Sequence, residues 1–313
     1  MKRITYLFIS LVFAGCQNSA KTPTTEANPQ TQISTTIDFK LPEIPMAIVE
    51  PEARATYLAS NYWTNFDIQN QGLKTDTANF EQLYSNYLLF LREGDQKSFC
   101  SAIENCIKHF HNDSTYLNKF YQLSEKYLYD PNSPFRNDEY YLCFINSLLG
   151  TNRMSFADST RLAFQQELVS KNRIGHKAAN FVYKTSDKKV SNLYKINAPY
   201  TLIFFYNPDC HACQEVKQQL QNSVTVNNLL NNKNMTLLAV YTDEELDLWE
   251  NSISGYPKEW IISYNPESRI KLDQSYDLKA IPTLYLLGKN KEVLLKDATV
   301  EQVNNFFDFQ NKF

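Results

Sequence analysis

The fold of this chain is decided by residues 200–213, which have the sequence YTLIFFYNPDCHAC. Residues 200–206 form an unbroken run of apolar and β-branched side chains, which predicts a buried strand. Good helix formers without a breaker follow at 214–221, so Cys210 and Cys213 stand at a strand-to-helix junction. Unpaired backbone N–H groups in a first helical turn stabilise an anion, which favours the thiolate form of Cys210. The second thiol lies one turn later on the same face, within reach of a disulfide with the first.

Two other uses of a paired cysteine motif have different requirements. A structural zinc site needs four ligands, usually a second cysteine pair or paired histidines, whereas here His211 lies inside the motif and no second pair exists. A peroxidatic cysteine usually has Thr or Ser three residues before it, and Asn207 takes that place. A purely structural disulfide is a further alternative. We interpret Cys210 and Cys213 as a redox pair that needs no metal and no cofactor.

The N-terminus is typical of an exported bacterial protein. Positive residues 2–3 precede an apolar segment at 4–13, and Ala-Gly-Cys follows. A short apolar core that ends in small residues predicts a secretory signal and not a spanning helix. Small residues directly before a cysteine resemble the bacterial lipoprotein signal, although Phe13 replaces the usual leucine. We therefore expect residues 1–15 to be a signal peptide and Cys16 to be lipidated; an ordinary secretory signal with an incidental Cys16 is the alternative.

Residues 16–40 are predicted to be a flexible tether. Between 17 and 36 the chain is rich in Ser, Thr, Pro, Gln and Asn, and about 20 such residues reach roughly 25 Å on average. The formal net charge is -3 and no basic run is present, so we expect no nucleic-acid partner. No later segment is apolar enough to span a bilayer, which leaves the lipid as the expected membrane attachment.

The periodicity of the sequence changes near residue 173. Residues 51–172 carry apolar side chains at helical spacing, which predicts an all-α domain over 41–172, hereafter the helical domain. Short apolar strands then alternate with helices, which predicts an α/β domain over 173–313, hereafter the sheet domain, and an α+β protein overall. The predicted strands are 181–183, 202–206, 237–241, 260–263, 283–287 and 293–295, and the predicted helices of this domain are 211–222, 244–253 and 299–311.

Breaks divide the helical domain into separate predicted helices. They fall at Gly94-Asp95, at 112–114 and at 130–134, where turn-forming residues cluster. Ser114 is a fair N-cap for the helix after the second break. Tryptophans are expected in the cores of the protein: Trp63, Trp249 and Trp260.

Residues 174–313 resemble the thioredoxin-fold domain of the TlpA/ResA-like thiol–disulfide reductases. The segments that carry the resemblance are GHKAANF at 175–181, FFYNPDCHAC at 204–213, an extra helix and strand within 243–276, and AIPTLY at 280–285. The resemblance implies a thioredoxin-like fold, with Cys210 as the attacking thiol, Cys213 as the resolving thiol and a disulfide between them after oxidation. It also implies a cis peptide bond at Pro282, in a loop where Ile281 and Pro282 offer backbone groups to an extended substrate.

The resemblance leaves the direction of the reaction open. Many thioredoxins have a buried acid where this chain has Phe204, and reductases of this subgroup often have an acid at the position of Val216. No proton acceptor for the resolving thiol is therefore identified. Asp209 replaces a tryptophan and disfavours the thiolate, whereas a protonated His211 would favour it. Oxidase and isomerase activity remain alternatives to reduction.

The helical domain resembles an uncharacterised N-terminal domain that precedes thioredoxin-like modules in some bacterial envelope lipoproteins. The matching residues lie within 51–67, and the resemblance brings no known chemistry. His109 and His111 do not share a helix face, and we interpret them as surface or helix-end residues.

Three further cysteines lie on or beside the apolar stripes of the helical domain: Cys100, Cys106 and Cys143. Cys100 and Cys106 are six residues apart and lie well round the helix from each other, so a local bridge between them is not expected. We expect three buried thiols. A disulfide between Cys143 and one of the other two is the alternative.

Together these features predict a lipid-anchored, thioredoxin-like protein of the bacterial envelope that faces the periplasm. The expected reaction is reduction of disulfides in other envelope proteins by the dithiol of Cys210 and Cys213. A membrane-borne thiol donor would restore the pair, because the compartment is oxidising. The alternative is a non-enzymatic binding or scaffold lipoprotein, in which the cysteine motif is a structural or redox-sensing disulfide.

Overall fold

Helices fill the first part of the computed structural model, which describes residues 39–310. Their bounds are α1 Pro51–Asn61, α2 Gln71–Thr75, α3 Thr77–Glu93, α4 Phe99–His109, α5 Ser114–Ser124, α6 Asp138–Gly150 and α7 Phe156–Val169, with a π-helical turn at Glu125–Tyr129. The predicted all-α character of this part is confirmed. The breaks at Gly94-Asp95 and 130–134 are confirmed as well, because α3 ends at Glu93 and the π-helical turn ends at Tyr129. The predicted signal peptide, the tether up to residue 38 and Cys16 lie outside the described residues.

Side chains at the helix starts determine where several of these helices begin. The carboxylate of Asp76, for example, accepts a backbone N–H from the first turn of α3. At α5 the prediction of Ser114 as the N-cap is wrong by one residue. The cap is Asp113, whose carboxylate accepts the N–H groups of Thr115 and Tyr116. A negative charge suits the positive end of a helix better than a neutral hydroxyl does.

Aromatic rings form the centre of the helical domain. Trp63 is only 3% exposed, which confirms its predicted place in the core. Its ring centroid lies 5.3 Å from that of Phe120, 5.5 Å from those of Phe66 and Phe110, and 5.6 Å from that of Phe80. Large rings in edge and tilted contacts therefore surround Trp63 at the centre of this domain.

A seven-stranded mixed sheet forms the second part of the chain within the described residues. Its strands are β1 Val182–Thr185, β2 Val190–Asn192, β3 Tyr200–Tyr206, β4 Met235–Tyr241, β5 Ile261–Tyr264, β6 Thr283–Leu287 and β7 Val293–Lys296, in the order β2-β1-β5-β4-β3-β6-β7. β3 is parallel to β4 and antiparallel to β6. The end of β3 therefore meets the end of β4 on one side and the start of β6 on the other.

The sheet is covered on both faces, which explains the unbroken apolar run of β3. Phe204 packs into one core with Trp249 and Trp260, and the next residue, Phe205, packs into the core on the opposite face with Tyr276. The predicted burial of both tryptophans is confirmed. The helices of this part are α8 His211–Asn222, α9 Val224–Asn231, α10 Leu246–Ser252, α11 Arg269–Leu272 and α12 Val300–Gln310.

Strand and helix predictions for the sheet domain agree with the structure, except where the elements are short or adjacent. The six predicted strands lie within two residues of the observed bounds. β2 was missed because it has three residues and pairs only with β1 at the sheet edge. α9 was missed because Ser223 both ends α8 and caps α9, so no gap separates the two helices. Within residues 39–310, no helix combines the length and the apolar character needed to cross a bilayer.

Candidate redox site

The turn between β3 and α8 holds the paired cysteines. β3 ends at Tyr206, and Cys210 is the N-cap residue of α8. The Sγ atom of Cys210 accepts the backbone N–H of Cys213 at 3.2 Å. The structure thus places Cys210 at the helix start, where the sequence predicts it. An N–H group in this position stabilises a thiolate more than a thiol, because an anion is the stronger acceptor.

The two thiols differ in exposure, and burial affects the acidity of Cys213. Cys210 is half-buried, whereas Cys213 is 1% exposed in the core beside the sheet. Burial, together with a hydrogen bond to the Cys210 thiol, raises the pKa of Cys213 to about 12. Both thiols are free, so this is the dithiol form, and the disulfide between them stays a prediction. The arrangement gives one thiol that an incoming disulfide can reach and one that only Cys210 can reach.

The loop before β6 completes the site. The peptide bond between Ile281 and Pro282 is cis, as the resemblance implies. The carbonyl oxygen of Ile281 lies 3.7 Å from the Sγ atom of Cys210 and accepts its S–H group. Antiparallel pairing of β3 with β6 fixes this approach. The structure therefore brings together all four residues that the sequence assigned to the site: Cys210, Cys213, Ile281 and Pro282.

A polar network beside the thiols was not predicted from the sequence. Asn207 follows β3, and its Nδ2 group donates to the Oδ2 atom of Asp243 at 2.6 Å. The same side chain accepts the N–H of Asp209 through Oδ1 at 2.9 Å, which fixes the turn that leads to Cys210. Lys271 donates its ammonium group to the other oxygen of Asp243. Asp243 thus connects the cysteine turn to the segment after β5.

The ionised state of Asp243 is favoured at this position. Burial opposes its ionisation, but the Lys271 ammonium and the Asn207 amide outweigh burial and lower the pKa of the Asp243 carboxyl. Its negative charge is also one of the causes that raise the pKa of Cys213. The sequence did contain a signal for this contact. Asn207 and Asp243 each follow one of two predicted strands, and the ends of parallel neighbours meet at the same edge of a sheet.

The positions at which related reductases carry acids have other roles here. Phe204 is fully buried and stacks on the ring of Tyr206, and Val216 packs against the same core. The nearby acid Glu215 lies on the exposed side of α8, where it is 3.6 Å from the Nδ1 atom of His211. The His211 side chain is 90% exposed, so it lies in solvent and not over the thiols. Asp243 is accordingly the carboxylate whose charge acts on the resolving thiol.

Two cysteines of the helical domain form a disulfide. Cys100 in α4 and Cys143 in α6 form a disulfide with a Cα–Cα distance of 5.3 Å. The expectation of three buried thiols is therefore wrong for these two, and the alternative of a bridge from Cys143 is confirmed. Cys106 is free and buried, and burial raises the pKa of its thiol well above the usual value. Helical spacing shows which face a cysteine occupies, but it does not show which helices pack against each other.

Two further points raised by the sequence concern the histidine at the end of α4 and possible metal ligands. His109 is the last residue of α4 and is exposed, which agrees with its interpretation as a helix-end residue. Over residues 39–310, no group of three or more His, Cys, Asp and Glu side chains is arranged to hold a metal ion.

Two family models match separate parts of the chain. A domain of unknown function, DUF5106, matches residues 15–172, and a thioredoxin-like family matches residues 197–293. The first match covers the helical domain, and the second covers the strand and turn with the cysteines as well as the cis-proline loop. None of the curated proteins matches this chain.

Solved structures from Bacteroides species are similar to this chain. A thioredoxin-like protein from Bacteroides caccae is 39% identical with a TM-score of 0.84, and the match covers 87% of this chain and 98% of that one. The C-terminal domain of an uncharacterized protein from Bacteroides fragilis is 46% identical over 44% of this chain and 98% of that one, with a TM-score of 0.43. The thioredoxin domain of a thiol-disulfide oxidoreductase from Bacteroides vulgatus is 19% identical over 44% of this chain and 97% of that one, with a TM-score of 0.40. The similarity to the Bacteroides caccae protein, which extends over both parts of the chain, confirms the predicted order of a helical part followed by a thioredoxin-like fold.

Proposed function

The chain belongs to the thioredoxin-like proteins that carry the domain of unknown function DUF5106, and on that premise we propose that it is a thiol–disulfide oxidoreductase. The observation that carries the proposal is the geometry of the dithiol. Cys210 is half-buried at a helix start, Cys213 is buried one turn later, and the Ile281 carbonyl beside the cis-proline lies 3.7 Å from the first sulfur. This arrangement suits attack on a disulfide that approaches along the loop.

The proposed reaction is the reduction of a protein disulfide in two exchange steps. The Cys210 thiolate attacks one sulfur of the substrate disulfide, which forms a mixed disulfide and releases the other substrate sulfur as a thiolate. Cys213 then loses its proton and attacks the Cys210 sulfur, which releases the second substrate thiolate. Two electrons pass to the substrate, both substrate sulfurs end as thiols, and Cys210–Cys213 ends as a disulfide.

The cis-proline loop has a defined part in this reaction. The Ile281 carbonyl accepts the Cys210 S–H group in the free dithiol. Once Cys210 is in a mixed disulfide it has no S–H to donate, so backbone groups of the loop are open to an extended substrate segment. Residues Ile281 and Pro282 are therefore proposed to bind substrate, whereas Cys210 and Cys213 carry the chemistry.

The proposed site of action is the cell envelope of a bacterium. The support is the resemblance of the N-terminus to a lipoprotein signal, with Cys16 as the lipidated residue. A protein anchored in this way and facing the periplasm would meet disulfide-bearing envelope proteins as substrates. It would also need a membrane-borne thiol donor to regenerate the dithiol after each cycle.

Reduction of insulin by the purified protein with a dithiol reductant tests the reaction. We expect Cys210→Ser to abolish turnover. Cys213→Ser that is reduced first, freed of the reductant and then mixed with insulin should stop after the first step with a covalent mixed disulfide, which mass spectrometry detects. The double variant Cys210→Ser/Cys213→Ser is the matched control and should capture nothing. Full insulin reduction by Cys210→Ser would overturn the assignment.

The anchor is tested separately from the chemistry. Cells that express the full chain are labelled with a fatty-acid probe and fractionated. We expect the label and the membrane fraction to be lost in Cys16→Ser. A protein that stays lipidated, or that fractionates with membranes equally well after this substitution, would contradict the proposed anchor.

A further inference from the structure

The loop that carries the cis-proline contacts the helical domain at two points. This loop, Asp273–Pro282, joins α11 to β6 and contains no helix or strand. A segment of this kind cannot hold its position by ladder hydrogen bonds and depends on the surfaces that it contacts. Its last residues are those that approach Cys210.

The first contact lies at the start of the loop. The ammonium group of Lys171 donates to the carbonyl oxygen of Gln274 at 3.1 Å, and the Nδ2 group of Asn172 donates to the carbonyl oxygen of Ser275 at 2.8 Å. Asn172 is buried, so its hydrogen bond is shielded from water. Both donors come from the last residues of the helical domain.

The second contact lies directly before the cis-proline. The Nζ atom of Lys279 is 3.4 Å from the ring centroid of Tyr129, in the π-helical turn of the helical domain, and 2.6 Å from the Oδ2 atom of Asp277. The Tyr129 ring itself stacks on Tyr141, with centroids 4.7 Å apart. The Lys279 side chain is only 18% exposed, and a cation over an aromatic face binds more strongly when water is excluded.

Ion pairs between the helical domain and the sheet domain fix the position of this contact. Arg136 of the helical domain is 2.5 Å from Asp297, and Asp138 is 2.7 Å from Lys296. The side chains of Asp138, Lys296 and Asp297 are each at most 8% exposed. Buried ion pairs require one geometry, because a shifted pair leaves an uncompensated charge in the interior. The helical domain is therefore fixed against the strand and the loop on either side of β6.

We propose that the helical domain is a positioning element for the substrate-binding loop, and that Tyr129, through Lys279, holds the cis-proline loop at the distance from Cys210 that a protein disulfide requires. This inference rests on the proposed function. Lys279 lies two residues before Ile281, so a displacement of the lysine reaches the carbonyl that faces Cys210. A protein substrate binds along the loop, whereas a small aromatic disulfide needs only the exposed sulfur.

The test compares Tyr129→Leu with Tyr129→Phe in the full chain. Leucine removes the aromatic ring that faces Lys279, whereas phenylalanine keeps it. Tyr129→Phe should therefore retain the wild-type KM for insulin. We expect Tyr129→Leu to raise the KM for insulin about fivefold or more with kcat changed less than about twofold, because a positioning contact acts mainly on binding. Its rate with 5,5′-dithiobis(2-nitrobenzoate) should stay within about twofold of wild type. An unchanged KM for insulin, or an equal loss with both substrates, would overturn the proposal.

Hydrogen exchange gives a readout that does not depend on activity. In Tyr129→Leu the amides of residues 278–281 and of Thr283 should exchange faster than in wild type, while the amides of β3 keep their protection. If Tyr129→Leu does not fold, Lys279→Met with Lys279→Arg as its matched control makes the same comparison. Loop amides that exchange at the wild-type rate in the variant without the cation–π contact would overturn the proposal.

The failure of this proposal is distinguishable from a failure of the proposed function. Cys210→Ser is assayed in parallel: if it still reduces insulin, the function assigned to the dithiol is wrong, whatever the loop does. If Cys210→Ser is inactive and Tyr129→Leu is indistinguishable from wild type in both KM and hydrogen exchange, only the role of the helical domain is wrong.

Discussion

Two cysteine pairs in this molecule each have one cysteine at the start of a helix, but their partner cysteines lie at very different distances along the chain. Cys100 lies in the first turn of α4, and Cys210 caps α8. Cys213 follows Cys210 by three residues within one helix, whereas Cys143 is 43 residues from Cys100 and belongs to another helix. Opening the Cys100–Cys143 disulfide releases a long loop in the unfolded chain, whereas opening a Cys210–Cys213 disulfide releases almost none.

The difference shows what separates a reactive pair from a crosslink. A disulfide that closes a long loop stabilises the folded chain, and folding in turn protects that disulfide from reduction. A disulfide across three residues has little of this protection and can open and close repeatedly. A helix start is therefore not sufficient for redox activity. Two features distinguish Cys210–Cys213 from Cys100–Cys143: the short sequence separation of the two cysteines, and the Ile281 carbonyl beside Cys210.

The largest expected effect separates the two pairs by activity. Cys210→Ser should lower insulin reduction on the order of 10³-fold or more, because serine supplies no thiolate for attack on sulfur. Cys100→Ser should leave the rate within about twofold of wild type, since the Cys100–Cys143 disulfide takes no part in exchange. Initial rates at saturating reductant measure both. A large loss in Cys100→Ser with an intact fold would remove the distinction between the pairs.

The second effect separates the pairs by stability. The double variant Cys100→Ser/Cys143→Ser should lose about 2–4 kcal/mol of unfolding free energy, because its unfolded chain is no longer closed into a loop. Oxidation of Cys210–Cys213 should change stability by much less. Denaturant unfolding with and without reductant measures the difference. Wild-type protein in reductant should approach the double variant, and a double variant as stable as the oxidised protein would contradict the structural role.

The third effect concerns the buried thiol of the reactive pair. Burial and the neighbouring Cys210 thiol raise the pKa of Cys213 to about 12 in the free dithiol. Burial, the larger cause, persists in the mixed disulfide, so the pKa stays raised there and the thiolate fraction should grow about tenfold per pH unit at lower pH. Release of a mixed disulfide from Cys210 should therefore accelerate about tenfold per unit between pH 6 and pH 9. Single-turnover release of a fluorescent thiol measures this rate. A plateau within that range would mean that Cys213 ionises much more readily than its burial implies.

The smallest effect concerns the acid beside the reactive pair. Asn in place of Asp243 keeps an acceptor for the Asn207 amide but removes a charge that raises the pKa of Cys213. We therefore expect Asp243→Asn to lower this pKa and to speed mixed-disulfide release at pH 8 about two- to threefold. The same single-turnover assay measures it. Slower release in Asp243→Asn would show instead that Asp243 accepts the Cys213 proton.

Much of the reactive site could be predicted from the sequence, because its chemistry is local. The apolar run of β3, the spacing of Cys210 and Cys213 and the segment around Pro282 each lie within a few consecutive residues. Asp243 could not be assigned in the same way. Its contact with Asn207 depends on β3 and β4 being parallel neighbours, and the strand order is not written in either segment.

The crosslink shows the same limit in the helical domain. Periodicity placed Cys100 and Cys143 on apolar stripes, but the packing of α4 against α6 decides that these two meet and that Cys106 does not take part. The contact between Tyr129 and Lys279 is even less accessible to sequence reasoning, because it joins residues of two domains. Contacts that depend on tertiary packing therefore account for most of what sequence reasoning missed.

A redox titration of both pairs in one sample tests the central distinction most directly. The intact chain is equilibrated in dithiothreitol buffers, alkylated and digested, and the oxidised fraction of each pair is measured by mass spectrometry. We predict a reduction potential above about -300 mV for Cys210–Cys213 and a lower one for Cys100–Cys143. A value below about -300 mV for Cys210–Cys213 would identify it as a structural bridge and contradict its assignment as the working redox pair.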